Sequence, residues 1–104
     1  MNFEWDEHKD ESNFKKHGIR FAEAARIFLN PVLTRIDDKT DHGELRESSI
    51  GLLDGAVVLV VIHTDRNGST RLISARRANR SERRNFDDYY QKNVGRDSGL
   101  ITLG

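Results

Sequence analysis

The run from Ala56 to His63, A-V-V-L-V-V-I-H, constrains this chain more than any other stretch. It is β-branched and aliphatic without alternation, so neither face of it suits water, and it predicts a strand buried on both sides. Asp65-Arg66-Asn67-Gly68 follows. Asn and Gly tolerate the positive φ angles that hairpin turns demand, so the segment from Thr70 to Ala78 should fold back antiparallel on the first. Asn79 can then cap a helix running to about Lys92, with Glu82 three residues on completing a capping box.

Upstream, Phe3-Glu4-Trp5 reads as a short extended piece. Asp6 can cap a helix to about His17, stopped by Gly18, with Lys15, Lys16 and His17 complementing the negative end of its dipole. That helix is mostly polar and is expected on the outside, held by Trp5, Phe14 and Ile19. Phe21, Ala24, Ala25, Phe28 and Leu29 recur at helical spacing and predict a second helix ending near Asn30-Pro31. Val32 to Ile36 reads as a strand, Asp37 to Gly43 as an acidic loop, and Leu45 to Leu53 as a strand ending in a second turn signal, Asp54-Gly55. The order is (β)ααββββα. It describes an α+β domain with an antiparallel four-stranded sheet, a short N-terminal strand and helices mainly on one face. With 104 residues there is room for one domain, expected over residues 1–92. Residues 93–104 hold three glycines and should form a loose or partner-ordered tail.

Cysteine is absent, which excludes a disulfide framework and thiolate chemistry and fits a reducing compartment. No apolar run approaches membrane-spanning length and no signal-peptide pattern opens the chain, so a cytoplasmic protein with no membrane contact is expected. The net charge of zero hides a split. Residues 1–55 carry twelve acids and eight Lys or Arg, and residues 56–104 carry five acids and nine Lys or Arg. Halves of about −4 and +4 imply a polarised surface with a polyanion or acidic partner on the basic side. Zero overall charge argues against a non-specific nucleic-acid binder, so any contact with RNA should be local.

The basic side is concentrated. Seven arginines (66, 71, 76, 77, 80, 83 and 84) fall between Arg66 and Arg84 with one acid, Glu82. Guanidinium groups present a planar fork of donors that fits phosphate. Arg76 and Arg77 are neighbours on a strand and so point to opposite faces. Alternation puts Arg46 on the same side as Ile50 and Leu52. A guanidinium there needs a carboxylate, for which Glu82 is the natural partner, or a cleft. A metal site in the acidic loop would need Asp37, Asp38, Asp41 and His42 to converge without any rigid spacing, and none is expected.

Together, F-E-W-D at positions 3–6, N-x-x-K-H-G-I at 13–19, F-A-E-A at 21–24, R-x-x-x-I-G at 46–51 and R-L-I-S-A-R-R-A-x-x-x-E-R at 71–83 resemble the BrnT family of toxins from type II toxin-antitoxin systems. The likeness covers about residues 3 to 90. It implies a RelE-like fold, metal-independent RNA cleavage that inhibits translation, and neutralisation by a BrnA-like ribbon-helix-helix antitoxin in a hetero-oligomer that binds promoter DNA. Two positions depart from the family pattern: Glu47 stands where an aromatic or aliphatic residue is usual, and Phe86 where a tyrosine is common.

Metal-independent cleavage uses the substrate's 2′-hydroxyl as nucleophile, so the protein must supply a proton acceptor, a proton donor and positive charge for the transition state. Arg46, Arg76 and Arg77 are expected to converge as phosphate and transition-state ligands. Lys16 and His17, helix-end charges in the plainer reading, are secondary candidates for proton transfer. Arg80 and Arg83 should bind RNA, Trp5 could stack on a base, and Glu82 should orient an arginine. No metal and no other cofactor is expected. A non-catalytic nucleic-acid-binding module, or an arginine-rich surface that only receives an acidic antitoxin segment, stays open beside this reading.

Overall fold

The structure, a computed structural model, describes residues 2–41 and 43–95. Its strands are β1 (Asn2–Glu4), β2 (Leu33–Asp41), β3 (Glu44–Leu53), β4 (Val57–Arg66) and β5 (Ser69–Arg77). Its helices are α1 (Glu7–His17), α2 (Phe21–Ala24) and α3 (Arg80–Tyr90). A 3₁₀ turn, Ala25–Leu29, extends α2, and a π turn, Gln91–Gly95, extends α3. One sheet runs in the order β1-β5-β4-β3-β2, with β1 parallel to β5 and the other neighbours antiparallel. Asn67 and Gly68 both take positive φ, 49° and 86°, and turn the chain between Arg66 and Ser69 as their dipeptide predicts.

The apolar run becomes β4, the middle strand, and its alternate residues serve two cores. Leu59 and Val61 join Ile19, Phe21, Ala24 and Ile27 on the face covered by α1 and α2. Val58 and Val60 join Ile50 and Phe86 on the face covered by α3. Most of the helical mass thus shares one face, and α3 takes the other. Burying a strand on both sides requires this, because a single apolar layer would leave half of β4 in water.

Two expectations change. Residues 37–41 continue β2 instead of looping, with a register shift between Ile36 and Thr40. The side chains of Asp38, Asp41 and His42 lie outside the described residues, as does the tail beyond Gly95. Phe14 does not anchor α1: it is 42% exposed, with the Arg20 guanidinium 4.2 Å above its ring. Polar contacts anchor that helix instead. Asp10 accepts from the Phe21 N–H at 2.7 Å, and the Asn13 amide seats on β5. Its nitrogen donates to the Ala75 and Ile19 carbonyls, both at 2.9 Å, and its oxygen accepts from the Ala75 N–H at 3.0 Å. β1 pairs with β5 only as far as Arg71. Beyond that point Asn13 supplies the donor and acceptor that a neighbouring strand would have offered.

Asn13→Ala leaves the buried Ala75 N–H and C=O without their partner and should destabilise the fold by about 2–4 kcal/mol, read as a lower urea midpoint. Gly51 packs for another reason. A Cβ there would stand 2.8 Å from Val32 Cγ1 and 3.1 Å from Ile27 Cβ. Gly51→Ala should therefore cost about 1–3 kcal/mol by overpacking, with an unchanged denaturant slope in the same measurement.

Candidate functional site

Where β5 loses its strand neighbour, a cavity of about 340 Å³ opens between it and α1. Positions 8, 9, 12, 13 and 16 of a helix share one side, and here that side brings His8, Lys9, Asn13 and Lys16 to the cavity, with His17 beside them and Ser74 opposite. The ladder between β4 and β5 shifts register next to Ser74, between Ile62 and His63. Bulges of this kind re-aim side chains beside functional sites. Lys16 is exposed and His17 half-buried. The two residues expected to transfer protons are therefore brought together at one opening.

The three arginines expected to converge do not. Arg76, Val60 and Ile50 lie level across β5, β4 and β3 on the α3 face. Arg46 shares that face by alternation, but it is four residues from Ile50, ~13 Å along the strand. Arg77 lies opposite Leu59, on the other face. At its strand end it lines a second cavity of about 290 Å³ together with Arg83 and Ala78. Strand alternation and register, which fix direction and distance, outrank closeness in sequence.

Each guanidinium also has its own setting. Arg76 donates to both Glu82 carboxylate oxygens at 2.8 Å, and Glu82 accepts in addition from the Asn79 N–H at 2.9 Å. Glu82 thus holds the Arg76 guanidinium by two of its donor nitrogens. Arg46 instead meets Asp37 at 3.6 Å, and its Nε is buried without a hydrogen-bond partner. The Arg76 guanidinium, with the Asn79 N–H, holds the Glu82 carboxyl below the usual range, and Glu82 in turn raises Arg76. Arg80 and Arg83 are exposed on α3, together with Arg84. Trp5 is not placed as a stacking platform: its indole packs into the α1–α2 core, edge-on to Phe21 with ring centroids 6.2 Å apart. Phe86 is a buried core residue flanked by Tyr89 and Tyr90.

A second polar group escaped the sequence reading. Glu47, His63 and Asp65 each place one ligand-capable atom within 4.8 Å of the other two. His63 is 4% exposed, and its Nε2 lies 2.8 Å from Ser49 Oγ, which is 2.7 Å from Thr34 Oγ1. Burial lowers the His63 pKa, and burial followed by the Asp65 charge raises that of Glu47. The His63-x-Asp65 spacing was visible, but the cross-strand pairing of Glu47 with His63 needs the register.

The sequence profile of the family described as ribonuclease toxin, BrnT, of type II toxin-antitoxin system matches residues 5–82. The crystal structure of the ribonuclease toxin BrnT from Brucella abortus resembles this chain with a TM-score of 0.60 and 29% identity, over 77% of this chain and 99% of that one. No curated protein matches. The span matched by the profile runs from Trp5 through the Arg76–Glu82 pair.

The pair has a signed pH dependence. Because the folded pKa of Glu82 lies below its ordinary value of 4.5, the stability it contributes is complete above that value and is lost as pH falls through the folded one. In acid titrations followed by circular dichroism, Glu82→Gln should remove about 0.5–1 kcal/mol at pH 7, the scale of a partly exposed ion pair, and almost none once the wild-type carboxyl is protonated.

Proposed function

Because the chain belongs to the BrnT family of ribonuclease toxins of type II toxin-antitoxin systems, we propose that it is an endoribonuclease that cleaves RNA without a metal ion and inhibits translation in the cytoplasm. The observation that carries this reading is the cavity at the open edge of β5, where two lysines and two histidines meet. In this reaction the RNA 2′-hydroxyl gives up its proton, its oxygen bonds to the adjacent phosphorus, and the bond to the 5′ oxygen breaks as that oxygen is protonated. Lys16 and His17 handle these protons. Arg76, two residues along from Ser74 on the same face of β5, meets the charge of the transition state and is held to its task by Glu82. Arg46 takes a phosphate farther along that face, and Arg77 and Arg83 take one at the second cavity.

The exposed arginines 80, 83 and 84 of α3 support a partner of opposite charge. A BrnA-like ribbon-helix-helix antitoxin, docking an acidic segment there, would cover the RNA surface in a hetero-oligomer that binds promoter DNA. The same arginines also favour a second reading, a module that binds RNA or antitoxin without cleaving.

RNA cleavage by the purified protein in chelator separates these. Wild type should cleave. Lys16→Ala and His17→Ala should each lose about 10²–10⁴-fold in rate, and Arg76→Ala about 10²–10³-fold, while Arg77→Ala affects mainly binding. Cleavage that disappears with the chelator overturns the metal-free mechanism. Binding without any cleavage supports the module.

A further inference from the structure

We infer that Glu47, His63 and Asp65 form a binding site for a divalent transition-metal ion of the zinc type, on the opposite face of the sheet from Arg46 and Arg76. His63 follows Leu59 and Val61 in alternation, and its ring meets Phe28 edge-on at 5.3 Å, which places it on the α1–α2 side. Glu47 is its direct cross-strand partner on β3, and Asp65 lies two residues on along β4. Two strands thus bring one imidazole and two carboxylates together, within 4.8 Å of one another.

The state of the imidazole points to a ligand. His63 is buried, and its Nδ1 has no hydrogen-bond partner, whereas its Nε2 is engaged by Ser49. The Thr34–Ser49–His63 chain of hydroxyls does what the outer partners of metal-bound histidines do: it fixes which ring nitrogen is left free and holds the ring in place. Asp65 is similarly steadied, accepting from Thr70 Oγ1 at 3.3 Å. A buried ring nitrogen without a hydrogen-bond partner, on a residue within reach of two carboxylates, is an arrangement that a cation would complete. One nitrogen and two oxygens suit zinc or a neighbouring transition ion better than magnesium, which prefers oxygen and retained water. Asp65 is exposed, so solvent can complete the coordination.

This inference is independent of the RNA reading, because Glu47, His63 and Asp65 take no part in the proposed chemistry. The full-length protein, stripped with chelator and dialysed, is titrated with Zn²⁺ by calorimetry and thermal melting, with Mg²⁺ in parallel. Expected are one Zn²⁺ per chain, a melting temperature raised by about 5 °C at roughly tenfold excess over Kd, and no comparable response to Mg²⁺. Co²⁺ should give visible d–d absorption. His63→Ala empties a buried position and can unfold the chain, so the deciding variants are Asp65→Asn and Glu47→Gln, which keep size and shape. Each should weaken Zn²⁺ binding by at least tenfold while melting close to wild type without the ion, and Ser49→Ala should weaken it about 10–100-fold. A wild type that binds no Zn²⁺ overturns the inference. So does binding that survives both Asp65→Asn and Glu47→Gln, which would place the ion on other histidines.

Discussion

One side-chain amide holds the first helix to the last strand. A strand edge presents N–H and C=O groups that a helix backbone, already bonded within itself, cannot satisfy. Asn13 carries both a donor and an acceptor, and it meets both groups of Ala75. The consequence reaches the candidate site, because Lys16 and His17 lie one turn farther along α1 and are positioned by the same seat. The cavity at Ser74 exists where it does because a polar contact, not an apolar stripe, sets how far the helix stands off the sheet.

Most of the fold was legible in the sequence. The A-V-V-L-V-V-I run, the Asn67-Gly68 turn, the Asp6 and Asn79 caps and the Gly18 stop are local signals, and each element they define is present. The extension of β2 through Asp41 was not legible, because acidic residues on a strand read as a turn until the partner strand is known. Phe14 misled through its type: an aromatic on a helix suggests burial, but this one faces Arg20.

The candidate site was legible in its residue types and less so in its geometry. The opposite directions of Arg76 and Arg77 follow from alternation alone, yet their distance from Arg46 depends on register across three strands. The partner of Arg46 was misassigned for the same reason: Glu82 is spoken for by Arg76, six residues away along the chain, and Asp37 on β2 serves Arg46. Lys16 and His17 were singled out by motif, and Asn13 seats the helix that carries them. Glu47, His63 and Asp65 were missed because His63 is hidden in an apolar run, where an imidazole reads as one more buried residue.

The parallel pairing of β1 with β5 joins the first strand to the last, Asn2 with Ser69 and Glu4 with Arg71, and the contact of Asn13 with Ala75 spans 62 positions of sequence. Such long-range closures cannot form until β5 has emerged from the ribosome, since that strand completes them. Until then a ribosome making this protein carries an unfinished sheet. The opening between α1 and β5 is assembled only once the growing chain has been extended past its last strand.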